Sequence, residues 1–554
     1  MSSGRATTGA LALAEMRRRR TRHRLGALDW FEVAYRVYLF GIFGGGTVLW
    51  ISSSVNDATV GAGTLADVSR HGPAVLGVLA ALAVSAGLRG GSHGGPLALE
   101  AADVTHVMLA PIDRRHALMR PSVQRVRSAL STGVGAGAVA GQLAGRRLPG
   151  SLVAWAAGGA LYGATVALLW VGAALVAHTT RLPRWLATAV GLAVVAWQGA
   201  AVAWHVPGPA DTAGSLGLWG WRQHPMDLTA TVVAAAALGV GLLMLGRISV
   251  DALARRSSLV AQLRFAVTMQ DLRTVILLRR QLNQEHTRHR PWLRLGVGGA
   301  QRMGLTHSLW RRGWFGLLRF PLPRILRMTA LAVAVGVLQA AAAKGTTPAL
   351  VGAALAAFVL GLEVMEPLSQ EVDQADRADG LPLERGELLM RHLAAPAVAL
   401  APFAVIAGLA AVVSLGAEYI AATAILAYPT VLAGAAGAVV SIVRDAPDPY
   451  SPVNQQAFVP PEMAGFTTTL RLVWPILVST LGVCAVLLPR AAARTGGSVE
   501  AASVRGAVGE VLFIVAVAWW VRLRDRVRRS VRAFMAEGRS YTAAQRRQTS
   551  GRTT

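Results

Sequence analysis

Two short segments of the chain carry the charged residues whose types and spacing best suit a specific contact. Residues 109–120 read LAPIDRRHALMR, and residues 380–391 read GLPLERGELLMR. In each segment a proline and an acid precede a run that mixes arginine with leucine and methionine. Proline suits a helix start because the N–H that it lacks would be unpaired there, and an acid favours the positive end of the helix dipole. Each segment therefore predicts a short amphipathic helix, which presents arginine to lipid headgroups or to a partner protein.

The two segments belong to a longer repeat that aligns without gaps at an offset of 271 positions. Between residues 96 and 120 the copies are identical at eight of 25 positions, whereas typical residue frequencies give roughly two. Asp113 aligns with Glu384, a conservative exchange. This repeat indicates that one structural unit was duplicated and fused. The identical pairs are Pro96 and Pro367, Leu97 and Leu368, Glu100 and Glu371, Pro111 and Pro382, Arg114 and Arg385, Leu118 and Leu389, Met119 and Met390, and Arg120 and Arg391.

The composition indicates a membrane protein. Of the 554 residues, 53% are hydrophobic and 15% are charged, whereas a soluble protein carries about a quarter charged residues. The apolar blocks are long enough to cross a ~30 Å hydrocarbon core as helices. We therefore predict an all-α polytopic membrane protein with about 12 transmembrane helices, in two six-helix repeats of parallel orientation. The predicted spans are 34–53, 73–91, 128–145, 150–178, 185–206 and 228–247, then 326–343, 347–365, 394–416, 419–442, 468–488 and 505–521.

The net charge of +26 lies mainly between the apolar blocks. The positive-inside rule places these arginine-rich segments in the cytoplasm, where anionic headgroups supply the counter-charge, so nucleic acid is not needed as a partner. The first 30 residues lack the pattern of a cleavable signal peptide. We expect a multi-pass protein of a bacterial plasma membrane with both termini cytoplasmic. Its predicted parts are an amphipathic amino-terminal segment at 1–33, a first six-helix unit at 34–247, a linker and amphipathic elbow at 248–325, a second six-helix unit at 326–521, and a basic tail at 522–554.

Several kinds of chemistry find no support in the sequence. Cys484 is the single cysteine, which excludes a disulfide framework. His286 and His289 have only Glu285 as a nearby carboxylate, so a solvated linker is a better interpretation than a metal site. Lys344 is the single lysine and does not belong to a P-loop, so this chain has no nucleotide-binding loop of its own.

Ionisable residues are scarce inside the predicted spans. Buried charges would mark proton relays or ion sites, but Glu363, Glu418, Arg471 and Glu510 all lie close enough to predicted helix ends to be interpreted as boundary residues. The stretch STGVGAGAVAGQLAG in the third span is rich in small residues, which predicts close helix contact inside the bundle. The Arg146–Arg147 pair follows this stretch. The pair lies on the outer side of the membrane if the helix spans it, and need not lie there if the helix forms a re-entrant hairpin with the next one.

The position of the two segments, each between the second and third helix of a six-helix unit, resembles the membrane subunits of ABC-2-type exporters. In that family the corresponding segment is a coupling helix, which docks in a cleft of a separate ATP-binding subunit. The chain departs from the family pattern because two units are fused, and because Asp103 aligns with Gln374. The resemblance assigns a coupling role to Glu100, Pro111, Asp113, Arg114 and Arg120 in the first copy, and to Glu371, Pro382, Glu384, Arg385 and Arg391 in the second.

The resemblance implies a non-enzymatic chain that forms a translocation pathway, with ATP and Mg on the partner subunit. A twelve-helix secondary transporter without an ATPase is the alternative, although it would need charged residues near the membrane midplane. A membrane-embedded enzyme is a third interpretation, but the outer loops offer only scattered acids. The apolar spans do not identify a substrate.

Overall fold

A computed structural model describes residues 60–92, 103–108, 113–248, 305–373, 382–444 and 473–550, together with isolated residues between these ranges. In these ranges the chain is helical and contains no β-strand. The chain divides into two compact units, Met1–Leu278 and Arg279–Thr554. The division lies within the segment predicted as a linker. The two units are described separately.

Unit 1 is a helical bundle whose described helices coincide with five of its six predicted spans. The span predicted at 34–53 lies almost wholly outside the described residues. The helices are α1 Ala62–Ser92, α2 Arg114–Gly145, α3 Leu152–Thr179, α4 Arg184–Trp204, the short α5 Asp211–Leu216 and α6 Trp219–Arg222, and α7 Thr229–Leu243.

Helix α1 begins eleven residues before the predicted span and continues through Pro73. A proline inside a helix removes one hydrogen bond and leaves the carbonyl four residues earlier without its usual donor. Here that carbonyl belongs to Ser69, and it accepts a hydrogen bond from Arg222 Nη1 at 3.3 Å. The freed backbone group is therefore satisfied from another part of the unit, as a membrane interior requires.

Helices α2 and α3 pack backbone against backbone through facing glycines. A Cβ atom built on Gly137 would lie 2.1 Å from the carbonyl oxygen of Gly159, and one on Gly133 would lie 2.4 Å from that of Gly163. The predicted close contact of this glycine-rich stretch is confirmed, because only residues without side chains allow this approach. Within the described part of unit 1, α2 packs mainly on α3.

The segment 113–120 is not a separate surface helix. It is the first turns of α2, a single helix of 32 residues. The helix continues through Pro121 into the glycine-rich stretch, so no break separates Arg120 from it. The prediction of a short helix followed by an independent third span was wrong for this copy.

Unit 2 is also a helical bundle, and two of its candidate spans are broken by bends. A bend of 62° separates α10 from α11, and one of 43° separates the pair α12–α13 from α14. Helix α8 lies in the predicted elbow, where Trp310 and Trp314 pack edge to face at 5.9 Å. The helices are α8 Leu305–Leu317, α9 Leu322–Ala343, α10 Ala349–Val364, α11 Glu366–Asp373, α12 Arg385–His392, α13 Ala394–Ala399, α14 Ala401–Leu415, α15 Ile420–Val443, α16 Val473–Thr495 and α17 Val499–Ser550.

Within the described residues, eight helices are long and apolar enough to cross a membrane, or ten if each bent pair counts as one span. The chain is thus an all-α multi-pass membrane protein. Helix α2 does not belong to this set, because its glycine, serine and threonine content lowers its hydropathy. The full count of twelve and the six-plus-six arrangement stay predictions.

Candidate functional site: paired coupling segments and an outer cavity

The two aligned segments begin helices at equivalent residues. Asp113 immediately precedes α2, and Glu384 immediately precedes α12. Burial also matches across the alignment, since each of three aligned pairs is buried in both copies; the pairs are Leu97 and Leu368, Ala117 and Leu388, and Leu118 and Leu389. Both segments therefore share a local plan, as the sequence repeat predicts. Glu100 and Pro111 lie outside the described residues, and Pro382 is exposed in the bend before α12.

In unit 1 the charged face of the segment is exposed. The Asp113 carboxylate accepts a hydrogen bond from the backbone N–H of Arg115 at 3.1 Å and pairs with His116 Nδ1 at 2.9 Å. The hydrogen bond from His116, followed by that from the Arg115 backbone, lowers the pKa of Asp113 below its ordinary value. Arg114 and Arg120 are exposed. This end of α2 therefore presents a cationic surface around a capped helix start.

In unit 2 the aligned segment is covered by helix α17. Glu384 Oε2 accepts a hydrogen bond from Arg526 Nη2 at 2.9 Å. Gly386 touches the backbone of α17, and a Cβ atom there would lie 2.2 Å from the Arg522 carbonyl oxygen. Arg385 is half-buried, and Arg391 pairs with Glu387 within α12. The second copy therefore offers a smaller free surface than the first.

Glu371, predicted to lie on a coupling helix, is an internal residue of unit 2. Its side chain is 2% exposed, and its carboxylate lies 3.0 Å from Arg312 Nη2 and 3.8 Å from His392 Nε2. A buried carboxylate requires such a partner, because removal from water is costly for an unpaired charge. Arg312 belongs to α8 and His392 to α12, and no local pattern in the sequence indicates that they contact Glu371.

A second ionic cluster holds the bend between α10 and α11. Glu363 pairs with Arg324 at 2.9 Å and with Arg327 at 2.7 Å, and Arg324 also reaches Glu366 at 3.5 Å. The Arg324 guanidinium lies 3.8 Å from the centre of the Phe320 ring, a cation–π geometry. Glu363 thus occupies a helix end, as the sequence predicted, and is paired there.

Glu510 is not a boundary residue. It is the twelfth residue of α17, and its side chain is 3% exposed. At 1.5 Å per residue it lies roughly 16 Å from the start of the helix, near the middle of a ~30 Å hydrocarbon core. The hydroxyl of buried Thr430 on α15 faces its carboxyl group. The interpretation of Glu510 as an interfacial residue was wrong.

A cavity of about 330 Å³ lies in unit 2, at the end that the predicted topology places outside. Its deeper lining includes Gln339 and Thr430, and its walls are mostly alanine, glycine, leucine and valine. Four charged residues surround the opening, and they are Lys344, Glu418, Arg490 and Arg494. The only signal of this cavity in the sequence was that three basic residues fall in loops predicted to lie outside, whereas basic residues are usually enriched in cytoplasmic loops.

The corresponding end of unit 1 is filled by its own loop. Buried Gln198 donates hydrogen bonds to the Ala74 carbonyl and to Asp211 Oδ1, both at 2.8 Å, and accepts one from the Ala210 N–H at 3.0 Å. Helix α5 packs so closely that a Cβ atom on Gly214 would lie 1.9 Å from the Pro73 carbonyl oxygen. The Gln198–Asp211 network and α5 therefore occupy the part of this end that corresponds to the cavity of unit 2.

Across the described residues of both units, no group of three or more His, Cys, Asp or Glu side chains is arranged to hold a metal ion. Comparison with protein families, with curated proteins and with solved structures finds no match to this chain.

Proposed function

We propose that this chain is the membrane subunit of an ABC-type exporter and that a separate ATP-binding subunit docks on the exposed segment 113–120 of unit 1. The observation that carries the proposal is the shared start of α2 and α12 at aligned residues, with matching burial behind each helix. Two coupling helices, one in each unit, would be expected to begin at aligned residues in this way. ATP and Mg belong to the partner.

The geometry of α2 suits mechanical coupling. A helix of 32 residues is about 48 Å long, and the glycine contact fixes its far half on α3 without flexible side chains between the backbones. A displacement at Asp113 is therefore carried along α2 to the α2–α3 contact. The covered segment of unit 2 makes the two ATPase contacts unequal.

Co-purification of the tagged full-length chain from its native membrane in mild detergent tests the proposal. We expect a soluble protein with Walker A and B motifs to co-purify. Charge reversal of the exposed pair, Arg114→Glu with Arg120→Glu, should abolish its retention. The aligned pair, Arg385→Glu with Arg391→Glu, is the matched variant and should reduce retention less.

Each outcome of this comparison is informative. Retention unchanged by both variant pairs would place the docking surface elsewhere. Absence of any ATPase, even after crosslinking in the membrane, would favour the alternative. Elution of each variant as a single species on size exclusion separates lost docking from lost folding.

The alternative is a secondary transporter, and Glu510 is the observation that favours it. A buried carboxyl group in the middle of a span is the kind of residue that couples ion and substrate movement. In that case Glu510→Gln should remove the dependence of transport on a proton gradient, measured with reconstituted vesicles. Transport that needs nucleotide and persists in this variant would exclude the alternative.

A further inference from the structure

We infer that the outer cavity of unit 2 binds a single-chain amphiphile with an anionic headgroup, such as a fatty acid. The headgroup lies at the cationic opening and the chain extends toward Thr430. This inference concerns binding and does not depend on what drives transport. It follows from the shape, the lining and the charge of the cavity.

The shape of the cavity suits an elongated ligand. Its lining comes from the outer parts of α9, α14, α15 and α16 and from the first residue of α17. Thr430 is the eleventh residue of α15, so the cavity extends roughly 15 Å from the outer end of that helix. A volume of about 330 Å³ is at the lower end of the range for small-molecule sites. It therefore suits one hydrocarbon chain better than the two chains of a phospholipid.

The walls suit a hydrocarbon chain. Small apolar side chains line most of the depth, and representative members are Ala340, Ala343, Gly408, Ala411, Ala422 and Ala427. Contact between such walls and a hydrocarbon chain removes apolar surface from water, which lowers the free energy of binding. Gln339 is a polar exception, since its side-chain nitrogen is buried and has no hydrogen-bond partner within the described part of the chain. A buried donor in this state indicates space for a ligand or water.

The charge at the opening selects the headgroup. Lys344, Arg490 and Arg494 outnumber the single carboxylate of Glu418, which gives three positive charges against one negative. Arg490 is already fixed, because its Nη1 donates to the Ala342 carbonyl at 3.1 Å and to Thr347 Oγ1 at 2.8 Å. A cation held in place loses little side-chain entropy when an anion binds. An anionic headgroup is therefore favoured over a cationic or neutral one.

Photolabelling tests the inference. The wild-type chain is placed in phosphatidylcholine nanodiscs with a palmitate analogue that carries a diazirine, and labelled peptides are identified by mass spectrometry. We expect labels that unlabelled palmitate removes within 339–344, 408–430 and 486–499, the segments that line the cavity. Unlabelled palmitate should compete, whereas the matched alkyl amine should not, and the anionic two-chain lipid phosphatidylglycerol should compete poorly.

A matched pair of substitutions on α14 separates the cavity from the lipid-facing surface. Ala411 lines the cavity and is 6% exposed, whereas Val413 on the same helix is 87% exposed. Ala411→Trp fills the cavity and should abolish competable labelling, while Val413→Trp should leave it unchanged. Arg494→Gln should weaken competition by palmitate about two- to fivefold, as expected for one exposed charge.

Several results would overturn the inference. These are competable labels confined to segments outside the cavity lining, equal competition by the amine or by phosphatidylglycerol, or full competable labelling of Ala411→Trp. The mapping of labels in the wild-type chain does not rely on any variant folding. Arg114→Glu in unit 1 should leave labelling intact, so loss of ATPase docking and loss of ligand binding are distinguishable.

Discussion

Each of the two units contains one copy of the aligned segment, but the units differ at both ends. In unit 1 the segment after the second predicted span exposes its arginines, and the opposite end is filled by the Gln198–Asp211 network. In unit 2 the aligned segment is covered by α17, and the opposite end contains a cavity. Helix α17 accounts for the covered segment of unit 2, because it continues far enough for Arg522 and Arg526 to contact α12.

The difference shows which features the two aligned segments keep and which they do not. The helix starts and the buried pairs are kept in both copies, because they depend on neighbouring residues in the sequence. The exposure of the charged residues differs between the copies, because it depends on whether a helix distant in sequence, such as α17, packs over the segment. The proposed division of labour follows: unit 1 supplies the freer docking surface, and unit 2 supplies a ligand site.

The largest expected effect concerns the ionic core of unit 2. Glu371→Gln removes the carboxylate that neutralises Arg312 and faces buried His392. Breaking a buried ion pair costs about 3 kcal/mol or more, and partial exposure of Arg312 favours the lower end. We expect a loss of about 3 kcal/mol in the free energy of unfolding, monitored by tryptophan fluorescence during denaturation in detergent. The exposed Glu418→Gln is the control, and an equal effect there would contradict the buried pairing.

The next effect concerns the backbone contact in unit 1. Gly137→Val places a side chain where a Cβ atom meets the Gly159 carbonyl oxygen at 2.1 Å. Overpacking of this kind costs about 1–3 kcal/mol, so the unfolding temperature should fall clearly. Gly135→Val is the matched control, because nothing lies within 4 Å of a Cβ atom on Gly135. Similar unfolding temperatures for both variants would show that α2 and α3 are not in direct backbone contact.

The smallest effect concerns the exposed helix start. Asp113→Ala removes the side chain that caps α2, which costs about 1 kcal/mol. Because the folded state lowers the pKa of Asp113, its stabilising contribution is present above the unfolded pKa and is lost as the pH falls through the folded pKa. The stability difference between the wild type and Asp113→Ala should therefore shrink in acid. Denaturant unfolding at neutral pH and at about pH 3 checks this, and a difference that grows in acid would reject the cap.

Local sequence signals predicted the helix starts well. The proline and the acid before Arg114 and Arg385 indicated where α2 and α12 begin, and apolar blocks located the described spans. The continuity of α2 through Pro121 was missed, because a proline after a charged run resembles a helix boundary. A glycine-rich stretch predicted close packing but not its partner.

Long-range features were not predictable from the sequence. Glu371 and Arg312 are 59 positions apart, and nothing local indicates that α8 supplies the counter-charge. Glu510 was placed at a helix end because the hydropathy of α17 rises only gradually from Val499. The cavity depends on five helices that converge at one end, and a single sequence does not show that convergence.

Helix α17 is long enough to act as a lever arm. Its 52 residues extend about 78 Å, of which the part from Arg524 to Ser550 adds about 39 Å beyond the predicted span. A rod of that length amplifies angle into distance, so a tilt of about 10° at Arg524 moves Ser550 by about 7 Å. Since Val499 lines the cavity at the other end of the same helix, a fluorophore near Ser550 would act as a pointer for small rotations around the ligand site.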